Sequence, residues 1–164
     1  MDNSRIGIAA ITAVGLVCAG LLVSASPGTP PPGGRAVGGT NSVLERLEEI
    51  QRAAEELNAE KVFSFVLEND AGSLVQGGRL FLTREAALES TRQGFLDLQK
   101  VEYQFQEQHV TLLSPSIALA VGKGSTSVQT SDGTQIVRPF LQSVVLVLTN
   151  GEWKVFHAHR SSGQ

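Results

Sequence analysis

Cysteine is almost missing from this chain. The single one, Cys18, lies inside an N-terminal apolar run. Past that run there is no thiol, which excludes disulfides, thiolate catalysis and cysteine-rich zinc sites. Aromatic residues are scarce at 5%, with Tyr103 and Trp153 the sole members of their kinds. An excess of positive charge is absent too: the formal net charge is −3 and no basic face large enough to follow a phosphate backbone is evident. Nucleic acid is therefore not expected as a partner. No nucleophile–base pair or nucleotide fingerprint occurs, and Gly122-Lys123-Gly124-Ser125 is too short for a P-loop and falls in a predicted strand. What remains is a hydrophobic content of 41%, enough for a core, in 164 residues, which suits one domain with appendages.

The appendage is N-terminal. Ile6 to Val23 is an uncharged run of 18 apolar, small or hydroxyl residues, preceded by Arg5 and followed by Val23-Ser24-Ala25 and Pro27. Small residues stand where signal peptidase needs them, so residues 1–25 are expected to be a signal peptide cleaved after Ala25 and the protein to be exported, periplasmic or extracellular. An uncleaved anchor over residues 6–23 is the alternative, because that length lies near the lower limit for a bilayer span; the membrane is a partner only in that case. Gly15-Leu16-Val17 ahead of Cys18 does not suit lipid attachment, so the cysteine is read as a small hydrophobe. Residues 26–41 are dominated by Pro and Gly and form a flexible linker.

The folded domain spans 42–164. Ser42 and Glu45 fit a capping box, and Val43, Leu47, Ile50, Ala54 and Leu57 recur at the steps of three and four that place one apolar stripe on a helix. Asn58 caps a second, shorter helix. Asn69-Asp70-Ala71-Gly72 is turn chemistry, Ser73–Gln76 a short strand, and Gly77-Gly78 a turn. Thr83 caps a third helix that buries Leu88, Thr91, Phe95 and Leu98. After Leu98 the pattern changes to four strands: 101–113, 116–129, 135–149 and 153–161. They are joined by Ser114-Pro115, Ser131-Asp132-Gly133 and the strong hairpin signal Asn150-Gly151. Helices first and an antiparallel meander after them make an α+β layout. Ile117–Val121 and Val144–Leu148 are apolar on both faces, whereas a sheet with one wet face alternates. A second copy of the domain is the economical cover, and a homodimer through the sheet is expected.

The ending Asn150-Gly151-Glu152-Trp153, continuing to His157-Ala158-His159-Arg160-Ser161, resembles that of many SnoaL-like proteins of the nuclear-transport-factor-2-like superfamily, with its Gly-x-Trp and His-x-His-x-Ser. Ser143 stands where that family often has threonine, and Ser116–Gly122 looks like its preceding strand. The resemblance covers Val43 to Ser161. It implies a cystatin-like α+β cone, a strongly curved antiparallel sheet wrapped around about three N-terminal helices, with a pocket at the open end. It does not imply one reaction, because the family holds isomerases, cyclases, dehydratases and non-catalytic domains. The isomerase-type apparatus is not found. The first helix carries no tyrosine, and the place of the carboxylate base falls at Val75.

Four residues are ligand-pocket candidates: Tyr103, Gln142, His157 and His159. Strict alternation puts both histidines on one strand face with Trp153 and Val155. His109 is a distant third imidazole, but no carboxylate-rich motif completes a metal site, and no metal or cofactor is expected. Pro139 suggests a bulge that leaves the facing of Arg138, Gln142 and Ser143 open. Trp153 is read as closing the core. Three functions stay open: a module binding a small apolar molecule in the cone, dimerising or both; a cyclase, isomerase or dehydratase using His157 or His159 with Tyr103; and a structural assembly domain with a filled cone.

Overall fold

A computed structural model of the protein describes residues 39–68 and 74–162. The expected signal sequence or anchor, most of the linker, the Asn69–Gly72 turn and the last two residues lie outside them. Helix α1 (Thr40–Glu55) buries Val43, Leu47, Ile50 and Ala54 of the predicted stripe, together with Ala53, while Leu57, expected to end that stripe, lies past the helix at φ 54° and is only half-buried. Its start differs from the capping-box expectation: Gly39 is the N-cap and contributes no side-chain bond. Ser42 instead sits in the first turn, donating to Gly39 O at 2.8 Å and accepting from Trp153 Nε1 at 3.0 Å. A buried indole N–H needs an acceptor, and this hydroxyl supplies it. Trp153 thereby closes the core between the start of α1 and the last strand.

Helix α2 (Ala59–Ser64) is capped by Asn58, whose side chain accepts the Lys61 N–H at 2.9 Å. Strands β1 (Leu74–Gln76) and β2 (Arg79–Phe81) form a small hairpin across Gly77-Gly78, both at positive φ. Of these, β2 was not anticipated. Helix α3 (Arg84–Leu96) begins at Thr83, whose hydroxyl accepts the Ala86 N–H at 3.2 Å, and it buries Leu88, Thr91 and Phe95. Leu98, expected on that helix, opens β3 instead.

The long strands are β3 (Leu98–Ser114), β4 (Ile117–Thr130), β5 (Gln135–Thr149) and β6 (Glu152–Ser162). Asn150 and Gly151 turn the last hairpin at φ 52° and 82°, the pair of positive values that a two-residue type I′ turn requires. The curved sheet has the order β2-β1-β6-β5-β4-β3. It is not wholly antiparallel, since β1 runs parallel to β6. The chain leaving α2 already lies alongside β6, with Leu67 N donating to Val155 O and Val155 N to Phe65 O, both at 2.8 Å. β1 then continues in the same direction along Ala158–Arg160. Helix α1 crosses the inner face from β6 to β3. At its far end Glu55 Oε1 accepts the Tyr103 N–H at 3.2 Å, which covers part of the edge strand β3.

Two local departures decide what faces inward. The bulge expected at Pro139 is absent: the β4–β5 ladder runs unbroken from Gln129↔Gln135 to Ile117↔Val147, through Ser125↔Pro139. Pro139 is accommodated because the pairing of β5 with β6 begins only at Phe140↔Ser162. The bulge occurs on β6 instead, where Val145↔His157 is followed by Leu146↔Val155 and Phe156 is left over. An extra residue reverses the alternation. Trp153 and Val155 are buried on the inner face, but beyond the bulge Ala158 and Arg160 take the inner positions. His157 and His159 therefore do not share the face of Trp153 and Val155; they stand on the convex side, half-buried and exposed respectively.

Candidate ligand-binding site

Register places a set of inward-facing residues in rows across the concave face. One row is polar: Gln108 on β3, Gly122 on β4, Gln142 on β5, Arg160 on β6, Gln76 on β1 and Arg79 on β2. On one side lies an apolar row, Val110, Ala120, Val144, Ala158, Leu74 and Phe81. On the other lie Phe105, Gly124 and Phe140, and beyond them Tyr103, Thr126 and Arg138. Gln108 reaches this face because β3 has its own bulge between Phe105 and Glu107, which turns both Phe105 and Gln108 inward.

Arg160 organises the centre. It is 5% exposed, donates from Nη2 to Thr126 Oγ1 at 2.8 Å, and holds its guanidinium carbon 3.6 Å from the Phe140 ring centre and 5.0 Å from that of Tyr103. A cation over an aromatic face is attracted by the ring quadrupole, more so when desolvated. Phe105 meets Phe140 edge-to-face at 5.1 Å between centroids, and Tyr103 meets Phe140 at 6.4 Å. Burial pushes the Tyr103 phenol well above its ordinary range, with Arg160 pulling the other way through its charge and a hydrogen bond. The hydroxyl therefore stays protonated and can donate.

The two glycines of β4 make room for the rings. A Cβ on Gly124 would stand 2.9 Å from Phe140 Cζ and 3.0 Å from Phe105 Cα, and one on Gly122 would stand 3.2 Å from Phe105 Cε1. The Gly-Lys-Gly segment is thus a floor for aromatics. Beside it the Gln108 amide is covered, and neither Oε1 nor Nε2 has a hydrogen-bond partner. Such orphaned buried groups cost free energy, and each calls for an explanation.

Of the four residues picked from sequence, Tyr103 and Gln142 come together here. His157 and His159 lie across the sheet from them, so no substrate can touch a histidine and Tyr103 at once. His159 shares a convex row with Ser143, Val121 and His109. His109 is three strand spacings away, about 14 Å, too far to join it on one metal ion. His109 Nε2 lies 3.0 Å from Glu107 Oε1, and Lys123 with His109 holds the Glu107 carboxyl down to about 2. Among the described residues, no group of three His, Cys, Asp or Glu side chains is arranged for a metal. The inward facing of Arg160 and Gln108 is hidden in the sequence by a bulge on each of their strands, whereas Gln76 and Thr126 lie on unbulged strands and carry no local signal of a site. Outside the sheet, a surface recess of about 470 Å³ beside α1 is lined by Arg46, Glu49, Glu56 and Lys61 among others. Four of its charges pair with one another, Arg46 with Glu49 and Lys61 with Glu56, each at 2.9 Å.

No functionally curated protein matches the sequence. Among solved structures, a nuclear-transport-factor-2-like superfamily protein from Salmonella enterica serovar Typhimurium is 12% identical, with a TM-score of 0.68 over 76% of this chain and 90% of its own. A protein with a cystatin-like fold from Caulobacter vibrioides is 18% identical, with a TM-score of 0.64 over 77% and 90%. A hexachlorocyclohexane dehydrochlorinase is 10% identical, with a TM-score of 0.64 over 76% and 84%. At such identities the likeness is one of fold. The family model of the SnoaL-like domain matches residues 43–163, nearly the whole folded part. The chain belongs to the SnoaL-like family.

Proposed function

We propose that this SnoaL-like domain is an exported binding module that takes a small, largely apolar molecule against its concave face and performs no reaction of its own. The observation that carries the reading is the burial of Gln142 and Arg160, 8% and 5% exposed, amid apolar and aromatic rows. Replacing buried charged groups by packed apolar ones is commonly neutral or stabilising, so a core built only for stability has no need of them. A few polar groups fixed among apolar walls is what a small-molecule site requires. Catalysis of the isomerase or dehydratase kind needs a base at the reacting carbon. The rows offer amides, the guanidinium groups of Arg79, Arg138 and Arg160, the Thr126 hydroxyl and a protonated phenol, and among the described residues they carry no carboxylate or imidazole; the neighbouring Glu55 carboxylate, on α1, is engaged by the Tyr103 backbone N–H at 3.2 Å. Export is supported by the uncharged run Ile6–Val23 and the small residues after it; retention of that run would leave the domain tethered to a membrane.

Native mass spectrometry of protein purified from its own host tests the reading. A retained small molecule in the native protein, lost in Arg160→Met, is expected. Bare protein that also fails to bind aromatic probes at millimolar concentration contradicts it.

A homodimer through the convex face is the second part of the proposal. Ile117 and Val121 are each 38% exposed there and Leu141 60%, next to half-buried Leu119 and Val145. A contiguous apolar patch of this kind marks an interaction surface. Sedimentation equilibrium is expected to give a dimer that Val121→Glu dissociates. A native monomer from micromolar to millimolar concentration contradicts this part alone.

A further inference from the structure

Both polar atoms of the Gln108 side chain are covered by protein and unpaired, at the β3 end of the row that continues through Gly122 to Gln142 and Arg160. From this we infer that the ligand is a neutral molecule with an apolar, ring-bearing skeleton and one group that donates and accepts side by side, as a lactam or a primary amide does, and that Gln108 is the residue that recognises it. The inference rests on the small-molecule reading above and narrows it.

The chemistry follows from the inventory of the amide. Gln108 offers two N–H donors and one carbonyl acceptor. A carboxylate ligand would engage the donors but leave Oε1 without a partner, and an ether or ketone would do the same. An apolar ligand would leave both atoms orphaned. A group with a donor beside an acceptor, of which a cis N–H next to a C=O is the neutral amide form, satisfies the two together, in a ring of two parallel hydrogen bonds. The surroundings agree with a flat skeleton. The Phe105 ring lies over Gly122, and Phe140 lies edge-on to it at 5.1 Å, so a planar molecule entering beside Gln108 meets aromatic faces and edges. Because Gln108 is now covered, entry displaces the Phe105 side chain, which is partly buried and at the rim of the core. Gly122 leaves the space into which that ring settles, and a Cβ there would hold it off.

The test uses four bicyclic probes of nearly equal size: 2-quinolone, with N–H beside C=O; quinoline, with an acceptor only; naphthalene, with neither; and 2-naphthoate, an anion. Calorimetry on the native full-length protein is expected to rank 2-quinolone tightest, by roughly tenfold over naphthalene for two added buried hydrogen bonds. Gln108→Met, close in length, is expected to erase that advantage and leave naphthalene affinity within about twofold. Gln108→Glu, which keeps acceptors and loses donors, is expected to lower 2-quinolone affinity as well. If 2-quinolone and naphthalene bind equally, or 2-naphthoate binds tightest, the assignment to Gln108 is overturned while small-molecule binding stands. If no probe saturates the native protein at millimolar concentration, the binding reading fails and this inference goes with it. The ranking on the native protein decides between these outcomes even if a variant does not fold.

Discussion

Replacing Gln108 by methionine perturbs the concave face at its least satisfied point, and the size of the effect can be worked from the structure. Two buried amide atoms have no partner. Each unsatisfied polar group costs about 1–3 kcal/mol relative to a paired one, whereas an apolar group of similar shape carries no such penalty. Methionine has nearly the same length, and its thioether packs well against ring edges such as that of Phe105. Counting only one of the two atoms as fully penalised, the ligand-free variant gains about 1–3 kcal/mol. For a domain of this size that raises Tm by about 3–10 °C. Thermal unfolding by circular dichroism and urea titration at constant m measure it. Gln104→Met on the same strand is the control: Gln104 is exposed on the opposite face, and its replacement is expected to change stability by no more than about 0.5 kcal/mol. A Gln108→Met protein that melts below the native one would refute the reasoning, since it would mean that the amide makes bonds worth keeping.

Gly124→Ala is expected to destabilise by about 1–3 kcal/mol or more, because its Cβ would fall on the Gln104 carbonyl and within 3.0 Å of Phe105 Cα, both backbone atoms that can move only by parting β3 from β4; urea unfolding measures it, and a change under about 0.5 kcal/mol contradicts the glycine floor. Gly122→Ala meets the Glu107 carbonyl oxygen at 3.0 Å and the Phe105 ring at 3.2 Å, looser contacts than those at Gly124, and is expected to cost less. Ser42→Ala strips the buried Trp153 N–H of its acceptor and is expected to cost about 1–2 kcal/mol, with a change in tryptophan emission. Lys123→Met is expected to raise the Glu107 carboxyl midpoint from about 2 toward the ordinary range, read by carbon-13 NMR; a midpoint that stays near 2 contradicts the pairing. The sign follows from linkage: a carboxyl held low in the folded protein adds stability above its unfolded value near 4.5, and that contribution is lost as pH falls through about 2. Because the group is exposed, the effect is small and weakens with salt.

Element order was legible in the sequence, since it depends on local signals. The i, i+3, i+4 stripe of α1, the Asn58 and Thr83 caps and the Asn150-Gly151 turn each act within a few residues, and β5 lies over the 135–149 predicted for it. Side-chain facing was legible only where alternation is unbroken. A bulge adds one residue without any composition of its own. Phe156 and Gln106 look like ordinary strand residues, yet each reverses everything beyond it. Straight alternation therefore puts His157 and His159 on the inner face and Arg160 and Gln108 off it, the reverse of what the bulges produce. Pro139 shows the converse, a residue with a strong local signature that the end of a neighbouring strand makes harmless. The parallel pairing of β1 with β6 is likewise a property of chain path, set by the segment after α2 lying along Val155, and no local pattern announces it.

The claim that the concave polar row binds a small molecule is tested most directly by nitrogen-15 NMR of the native protein during titration with 2-quinolone. The account predicts saturating shifts of the Gln108 and Gln142 side-chain amides, the Arg160 Nε–H and the Gly122 and Gly124 backbone amides, with His159 and Ser143 on the far face undisturbed. Shifts confined to the convex face, or none at all up to millimolar probe, would contradict it.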